Sequence, residues 1–450
     1  MIMKLPTISF AFLSILSTAQ CLFIEPGNFT TLQNATAIIT SGILDYYAGT
    51  QYGGTIGTFQ EPYYWWEAGG VWGALIDYGF FMKNDSLDLM IREALLYQKG
   101  EDDNYVPSNQ SMVEGNDDQG FWGLALLEAI EKNFTNPSDS SDGWLGLAQG
   151  VFNSMTDRWD SACGGGLRWQ IFQWNNGYDY KNSVSNGCLF NIAARLARYT
   201  GNDTYMDWAE KVWDWMDDRG ILTNGSYILV YDGVYTESCD KVEKGQWTYN
   251  QGLMLSGAAY LYNFTLDSMW HERTLKLLEA STPFFENDIM KEAACQPNND
   301  TENCKNDQRS FKAYFARFLG QTSVLVPDTR ETIDPWIKAS AIGAAKSCTG
   351  GYDGNTCGMN WVLGRCDAKY GLGEEVCALE VIQNLLVHDR PAPYTQKHGG
   401  SARANPSAGH RPERKGPGPL KITGGDKAGA GIITAVVGVS IVGAGIWLII

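Results

Sequence analysis

The feature that most constrains the fold is a pattern that recurs along the chain. A polar or aromatic stretch with glycine opens an apolar helix, and an amphipathic helix follows. A helical hairpin of this kind cannot bury its apolar face alone, whereas a closed ring of six hairpins, with the apolar helices inside, buries every face. The openings stand 52, 69, 62, 62 and 48 residues apart, near Trp66, Asp118, Gly187, Tyr249, Phe311 and Met359. The pattern predicts an all-α (α/α)6 barrel whose openings gather into one cleft.

Two segments interrupt the helical pattern. The stretches GGGLRWQIFQWNNGYDY (164–180) and TNGSYILVYDGVY (223–235) combine aromatic or β-branched residues with glycine. Such runs favour short strands joined by turns. We therefore expect short β hairpins on the rim of the cleft.

The N-terminus has the pattern of a secretory signal peptide. Lys4 precedes an apolar run over residues 8–16, and small residues suited to cleavage follow. We expect residues 1–21 to be removed and the mature protein to be secreted.

The C-terminus predicts a glycolipid anchor. Residues 432–450 carry no charge and end flush with the chain, and small and polar residues precede them. Since no basic residues follow the apolar run, a GPI-attachment signal over 428–450, removed on attachment, fits better than a tail-anchored membrane span. Three residues qualify as the attachment site: Gly424, Gly425 and Asp426.

Between these ends, composition predicts one large domain over 22–387 and a stalk over 388–427. The stalk is rich in Pro and Gly and holds eight Lys/Arg against three Asp/Glu, so we expect it to be disordered. The whole chain has a formal charge of −17. An acidic body of this kind excludes nucleic acid as a partner.

Sequons and cysteines suit the secretory compartment. The ten cysteines predict mostly disulfides, with Cys295/Cys304 and the run Cys348, Cys357, Cys366 and Cys377 as local candidates. Nine Asn-x-Ser/Thr sequons predict glycosylation sites. They begin at Asn28, Asn34, Asn84, Asn109, Asn133, Asn202, Asn224, Asn263 and Asn299.

The scarcity of histidine narrows the possible chemistry. Of four histidines, only His271 lies inside the predicted domain. The predicted domain therefore has almost none of the histidines that a Ser-His-Asp triad or a multi-histidine zinc site requires. The stretch around Asp353 is too short and too poor in acids for an EF-hand loop, so we predict no metal and no cofactor. Any catalysis must come from carboxylates.

Asp117 and Asp118 are the leading candidates. They precede an apolar helix, FWGLALLEAIEKNF, at the point where a loop becomes a helix. Only there can two consecutive side chains face one cavity, since helical neighbours point about 100° apart. Taken alone, such a pair is most simply a helix cap. Mutual repulsion of two adjacent carboxylates would raise the pKa of one of them.

The surroundings favour a sugar-binding cleft. The chain has sixteen Trp, many of them beside the helix openings, as in YYWWEAGG, LRWQIFQW and GQWTYNQG. Flat aromatic faces suit pyranose rings, and nearby Asn, Gln and Asp suit their hydroxyls.

Four stretches carry a resemblance to a known family: EGNDDQGFWGLALLEAIE, WDSACGGGLRWQI, GYDYKNSVSNGCLFNIAARLARYTGN and GQWTYNQGLMLSGAAYLY. They resemble glycoside hydrolase family 76, and within it the fungal glycolipid-anchored mannan endo-1,6-α-mannosidases. The similarity runs from about residue 24 to residue 387. It implies the (α/α)6 fold, α-1,6-mannan as substrate class, and retaining catalysis with Asp117 as nucleophile and Asp118 as acid/base.

Around this pair we expect a set of sugar contacts, although several of them could instead be turn or cap residues. The set comprises Trp66, Gln119, Trp122, Trp169, Asn182, Asn186, Tyr249 and Asn250. The resemblance further implies transfer of α-1,6-mannose-containing glycans, from mannan or a GPI core, to a β-glucan acceptor during cell-wall biogenesis. We expect the protein on the outer face of the plasma membrane and in the wall.

Two alternatives remain open from sequence. The chain could be a mannan-binding surface protein whose acid pair is only a cap. It could also be an inverting glycosidase on the same barrel, with a base elsewhere, such as Asp179, and carboxyls about 6.5–9.5 Å apart. Hydrolysis and transglycosylation are not separable from sequence, because acceptor binding and water exclusion decide between them.

Overall fold

The computed structural model describes residues 22–137, 143–296 and 303–409, together with Thr434 and Val437. By its internal contacts the chain divides into residues 1–410 and 411–450. The predicted signal peptide, the attachment residues, the Asn299 sequon and almost all of the hydrophobic tail lie outside the described residues. No helix among those described is long and apolar enough to span a bilayer.

Six helices form a closed inner ring, in which each packs against the next and the last returns to the first. They are α2 (Trp65–Met82), α4 (Asn116–Glu131), α6 (Ser183–Thr200), α8 (Thr248–Thr265), α10 (Phe311–Leu325) and α12 (Leu372–Gln383). Their side chains are buried on nearly all sides, as helices enclosed by other helices must be. Glycines allow the close approach: a Cβ on Gly120 would lie 2.5 Å from Cβ of Cys188 on the next helix.

Among the described residues, six further helices alternate with the inner ones along the chain and pack outside the ring. They are α1 (Phe29–Asp45), α3 (Asp88–Gln98), α5 (Trp144–Thr156), α7 (Asp203–Asp218), α9 (Ser268–Glu279) and α11 (Arg330–Ser347). These helices are amphipathic. In α7, for example, Tyr205, Ala209, Val212 and Met216 recur at three- and four-residue steps and are buried, while acids cover the other face. The predicted (α/α)6 barrel is confirmed.

Five of the six predicted openings coincide with inner helices, and the sixth does not. Met359 lies in a loop, and α12 begins thirteen residues later at Leu372. Met359 and Trp361 are each 1% exposed although much of the loop around them is exposed. Asp367 holds this turn by accepting backbone hydrogen bonds from Met359 (3.1 Å) and Asn360 (2.9 Å). Buried aromatic and glycine residues in a turn therefore resembled a helix opening.

Short strands lie at the rim, as predicted. β1 (Tyr180–Asn182), β2 (Gly233–Tyr235) and β3 (Val242–Glu243) form an antiparallel sheet in the order β1-β2-β3. A second hairpin pairs β4 (Phe285–Glu286) with β5 (Ile289–Met290). The first sheet matters for the site because β1 leads directly into α6.

Three disulfides join described cysteines: Cys163–Cys239, Cys295–Cys304 and Cys348–Cys357. The predicted Cys295/Cys304 pair is confirmed. Of the predicted local run, only Cys348 and Cys357 pair, and Cys366 and Cys377 are free. Cys188 is also free and buried.

The chain does not leave the domain at residue 388, so the predicted stalk begins too early. Residues 388–409 lie against the barrel through specific hydrogen bonds. The Asn153 amide donates to the carbonyls of Pro406 and Ala408 (2.9 Å each), and the Asn133 amide donates to that of Gly399 (2.8 Å). Pro and Gly have no polar side-chain groups, but backbone carbonyls of this segment accept hydrogen bonds from the barrel. The composition alone did not reveal this.

The end of the barrel opposite the helix openings is closed by a buried ionic cluster. All six inner helices contribute to it, with Asp77, Glu128, Glu131, Arg195, Tyr260, Arg317 and Glu380. Arg195 is fully buried and pairs with Glu128 (3.0 Å) and Glu131 (2.7 Å). Buried charges are stable only when paired and hydrogen-bonded, so the cluster ties the ring together.

Candidate active site

Asp117 and Asp118 occupy the first turn of α4, the position that their sequence context predicts. Gly115 precedes the helix in extended conformation, and its N–H donates to the Asp118 carboxylate (2.5 Å). The Asn116 N–H donates to the carbonyl of Trp169 (2.8 Å), which fixes the loop before β1 against this turn. The acid pair is therefore held by both its own helix and a rim loop.

The two carboxyl groups lie close together over Gly115. An ideal Cβ on Gly115 would lie 2.2 Å from Oδ1 of Asp117 and 3.0 Å from Oδ2 of Asp118. These oxygens are therefore no more than 5.2 Å apart, the sum of the two distances. A retaining glycosidase needs its carboxyls about 5–5.5 Å apart, whereas an inverting one needs about 6.5–9.5 Å. The geometry fits the retaining arrangement.

Burial and mutual repulsion give the two acids different pKa values. Burial raises the pKa of Asp117 to about 7, while hydrogen bonds, including those from the Asn182 and Trp169 side chains, oppose the rise. Burial also raises the pKa of Asp118, and the neighbouring Asp117 charge raises it further, well above its usual range. Asp118 thus keeps its proton when Asp117 is ionised.

Asn182 and Trp169 reach the pair from the rim. Asn182 ends β1 and caps α6, where its Oδ1 accepts from the Ser185 N–H (3.1 Å), leaving its amide nitrogen for Asp117. Trp169 is 37% exposed, the exposure expected of an indole with one face on the cleft. Both were predicted as sugar contacts, and the structure places both beside the acids.

An aromatic wall borders the site. The Tyr249 ring stacks on Phe311 with a centroid distance of 3.8 Å and an interplanar angle of 10°. The Trp66 ring lies 4.6 Å from that of Phe121. Tyr249 and Trp66 both keep partial exposure at the open end of the ring, where they were predicted.

The other four predicted sugar contacts are buried, and three of them are enclosed by contacts with the protein, which makes those three predictions wrong. The Gln119 amide donates to Asn104 O and Ser154 Oγ (2.6 Å each), and its oxygen accepts from Arg158. Trp122 is fully buried between Trp65 and Tyr105. Both side chains are 0% exposed and are enclosed by these contacts.

Asn186 is the third internal residue. It is fully buried, and it exchanges hydrogen bonds with the backbone of Leu167 (2.8 and 3.1 Å), which secures the rim loop. Asn250 is also buried, at 1% exposure, and neither atom of its amide has a hydrogen-bond partner among the described residues.

Sequence reasoning missed a third buried acid. Glu114 is 1% exposed, and both its carboxylate oxygens lack hydrogen-bond partners in the described part of the chain. Burial and the Asp118 charge raise the pKa of Glu114, and Arg158 opposes this. Glu114 stands in the same EGNDDQG stretch as the acid pair, so its sequence position could have identified it.

A second missed group involves Asp232, which directly precedes β2. Its carboxylate accepts from the Tyr180 hydroxyl (2.7 Å) and from the Trp247 indole (3.1 Å). It therefore links β1, the β2 loop and the start of α8 behind the site. Asp179, the alternative base, is exposed.

Within the described ranges, no group of three or more His, Cys, Asp or Glu side chains is arranged to hold a metal ion.

The family model described as glycosyl hydrolase family 76 matches residues 31–397. The chain belongs to glycosyl hydrolase family 76.

Two of the similar proteins are fungal. The chain is 59% identical over 442 residues to the mannan endo-1,6-alpha-mannosidase DCW1 of Candida albicans, covering 96% of this chain and 97% of that protein. It is 58% identical over 424 residues to the protein of the same name from Saccharomyces cerevisiae, covering 94% of each.

A solved structure of this family is similar over most of its length. The crystal structure of Dfg5 from Chaetomium thermophilum in complex with glucosamine matches with a TM-score of 0.82 and 35% identity, covering 86% of this chain and 97% of that one. A bacterial α-1,6-mannanase of Salegentibacter shares the fold, with a TM-score of 0.64 at 17% identity.

Proposed function

We propose that this family 76 protein is a retaining enzyme acting on α-1,6-linked mannose chains. The observation that carries the proposal is the acid pair: two carboxyl oxygens no more than 5.2 Å apart, with one acid more readily ionised than the other. A helix cap needs neither a second buried acid nor such proximity. The names of the fungal relatives, mannan endo-1,6-alpha-mannosidases, support the substrate class.

In the first step, ionised Asp117 attacks the anomeric carbon, and protonated Asp118 donates its proton to the leaving oxygen. The glycosidic bond breaks as the bond to Asp117 forms. The Asn182 and Trp169 side chains hold the Asp117 carboxylate in place for attack. Asp118 then takes a proton from the incoming hydroxyl, which displaces Asp117 from the sugar.

The incoming hydroxyl decides the outcome, since water gives hydrolysis and a sugar gives transfer. We favour transfer, in which an α-1,6-mannose-containing glycan of a GPI-anchored protein is joined to a wall glucan. Two aromatic residues of the rim loop between Trp169 and β1 support an acceptor site: the rings of Phe172 and Trp174 stack at 4.9 Å, and Trp174 is 59% exposed.

The proposed place of action is the outer face of the plasma membrane and the wall, with the protein held by a GPI anchor. The signal pattern, the sequons and the C-terminal apolar tail support this location. Release of the protein from intact cells by a phosphatidylinositol-specific phospholipase would test the anchor.

The relatives provide a parallel for the acid pair. In the Salegentibacter mannanase, a variant with two consecutive aspartates changed to asparagine is inactive and is seen in complex with α-1,6-mannotriose. The proposal for Asp117 and Asp118 rests on the geometry of this chain, and the parallel supports it.

The test is trapping of the covalent intermediate. The protein is incubated with a 2-deoxy-2-fluoro α-1,6-mannobioside bearing an activated leaving group, and its peptides are analysed by mass spectrometry. We expect a glycosyl adduct on the peptide that contains Asp117, and no adduct in Asp117→Asn. A protein that binds α-1,6-mannotriose but forms no adduct and turns over no substrate would be a binding protein. Product of inverted configuration would indicate the inverting mechanism.

A further inference from the structure

A second cavity lies apart from the acid pair. It has a volume of about 570 Å³ and lies between the C-terminal end of α1, the loop that follows α11 and the start of α12. The residues that matter for its chemistry are Asp45, Tyr46, Tyr352, Asp353, Tyr370 and Glu375. This volume is in the range of small-molecule sites.

The charge of the cavity lining is one-sided. Three carboxylates line it, and none of the described lining residues is Lys, Arg or His. The nearby Arg309 is engaged elsewhere, in an ion pair with Glu374 and a hydrogen bond to the carbonyl of Tyr370 (3.2 Å). The carboxylates that face the cavity therefore have no counter-charge on its lining.

Glu375 gives the most specific indication. It is only 3% exposed, and its Oε1 accepts from the Cys357 N–H (3.0 Å). Its second oxygen, Oε2, has no hydrogen-bond partner among the described residues, although Glu375 lines the cavity. Burial raises the pKa of Glu375 to about 8, with Glu374, Asp353 and Asp45 adding to the rise. With a pKa of about 8, Glu375 is mostly neutral at pH 7 without a bound cation, and a cation in the cavity would favour its ionised form.

The tyrosines suggest which kind of cation would fit. Tyr46 is partly buried, with its ring at 5.4 Å from that of Tyr63, and burial raises its pKa to about 12, so its ring stays neutral. Tyr370 and Tyr352 are exposed at the mouth of the cavity. Aromatic faces together with carboxylates recognise organic ammonium groups, which combine a positive charge with an apolar surface.

We propose that this cavity is a binding site for an organic ammonium group, with Glu375 as its buried counter-charge and the tyrosines as its aromatic walls. The shared chemistry is the ammonium group, which a primary amine or a quaternary ammonium headgroup could supply. The Cys348–Cys357 disulfide holds the loop that carries Tyr352 and Asp353. This site is independent of the proposed glycosidase activity.

The test is a ligand-observed NMR titration of the full-length protein with choline and with its neutral isostere, 3,3-dimethylbutan-1-ol. We expect choline to bind and the neutral isostere to bind at least about tenfold more weakly. Ethanolamine is the third probe. Tighter binding of ethanolamine than of choline assigns the site to primary amines, and the reverse order assigns it to quaternary headgroups.

Variants locate the binding. Glu375→Gln is isosteric and can still accept from Cys357, so we expect the fold to remain and choline affinity to fall about tenfold or more. Tyr370→Ala should also weaken binding. Asp207→Asn, at an exposed acid on α7 that does not line this cavity, should leave choline affinity unchanged.

Three results would overturn the proposal: equal binding of the neutral isostere, no binding of choline, or choline binding that Glu375→Gln leaves unchanged. Binding of calcium chloride with displacement of choline by low calcium concentrations would make the cavity a metal site instead. Asp117→Asn should bind choline as the unchanged protein does, so failure of the glycosidase proposal would not affect this result.

Discussion

Gly115 and Asp117 are in such close contact that a Cβ atom on the glycine would lie 2.2 Å from Oδ1 of the aspartate. Gly115→Ala should therefore displace the acid pair. The backbone of Gly115 has φ −96° and ψ 166°, which alanine adopts freely, so the helix should form normally. Because a misplacement of about 1 Å can cost roughly 100-fold in rate, we expect kcat/KM to fall by about that factor.

The measurement is kcat/KM on an aryl α-1,6-mannobioside, with circular dichroism as the check on folding. Gly225→Ala is the matched control, since the nearest atom to its added Cβ is 3.7 Å away. Full activity in Gly115→Ala would show that the pair does not need its observed position.

Asn182 serves both the fold and the site, and one substitution separates the two roles. Serine is also a good N-cap, so Asn182→Ser should keep α6 at a cost well below the ~1 kcal/mol expected for alanine. It removes the amide that stabilises ionised Asp117, so the pKa of Asp117 should rise. We expect the acid limb of the kcat/KM profile to move to higher pH.

Asp267→Ser is the control for Asn182→Ser. Asp267 caps α9, where its side chain accepts from the Met269 N–H (2.8 Å), and it lies on the exposed surface. The control should leave the pH profile unchanged. An unshifted profile in Asn182→Ser would exclude Asn182 as a positioning residue for Asp117.

The pH dependence of activity should follow the two acids. Activity requires ionised Asp117, whose pKa is raised to about 7, so kcat/KM should increase as pH rises through about 7. Activity also requires protonated Asp118, whose pKa is raised well above its usual range, so kcat/KM should fall at still higher pH. The two acids interact, so both limbs belong to the pair.

A substrate with a dinitrophenyl leaving group tests this assignment, because it needs no proton from the enzyme in its first step. Asp118→Asn should keep the rising limb on this substrate and lose the falling limb. Loss of the rising limb in Asp118→Asn would reverse the two roles.

The sequence predicted the ring because each inner helix is enclosed by other helices and must be apolar on nearly every side. This requirement recurs along the chain as a visible pattern. It failed at Met359 because burial, which the sequence pattern registers, does not distinguish a helix from a buried turn. Trp361, two residues later, is 1% exposed and packs beneath the Lys312 ammonium (3.8 Å). Its aromatic and glycine neighbours look like a helix opening but belong to that turn.

At the site, sequence reasoning named residues that lie near the acid pair, but it could not tell which way their side chains point. On a helix, Gln119 lies two positions after Asp117, a rotation of about 200°, and Trp122 lies five positions after it. Gln119 therefore turns away from Asp117. Trp122 lies four positions after Asp118, on the same side of the helix, and is kept from the cleft by its packing between Trp65 and Tyr105. Asn182 and Trp169 come from other segments, and only the folded rim brings them to Asp117. Sequence reasoning named both as sugar contacts, but it could not place them against Asp117.

The docked segment 388–409 predicts uneven glycosylation. The Asn133 amide nitrogen donates to the carbonyl of Gly399 (2.8 Å), and its oxygen accepts from the Ser401 N–H (3.1 Å). An N-linked glycan replaces one of the two hydrogens on that nitrogen and needs the space beside it, where Gly399 and Ser401 dock, so a glycan here would compete with docking of the segment. We expect Asn133 to be unoccupied. The exposed Asn202 should be occupied.

Glycopeptide mass spectrometry of the secreted protein measures both sites. Removal of the Asn133 sequon by Thr135→Ala should leave the mass and thermal stability nearly unchanged, whereas removal of the Asn202 sequon by Thr204→Ala should reduce the mass by one glycan. High occupancy at Asn133 would mean that residues 388–409 leave the barrel in the secreted protein.

The buried ionic cluster predicts a large difference between two charge removals. Arg195→Met leaves Glu128 and Glu131 without their main partner inside the barrel, so we expect a loss of about 3–5 kcal/mol in the free energy of unfolding. Lys276→Met removes a pair with Glu272 in which the side chains are 33% and 68% exposed, so its cost should be under about 1 kcal/mol.

Chemical denaturation of each variant gives both values. Similar losses in the two variants would mean that the cluster contributes little to barrel closure. Since all six inner helices contribute to the cluster, we expect Arg195→Met to unfold in one cooperative transition at lower denaturant, with the cleft and the closed end lost together.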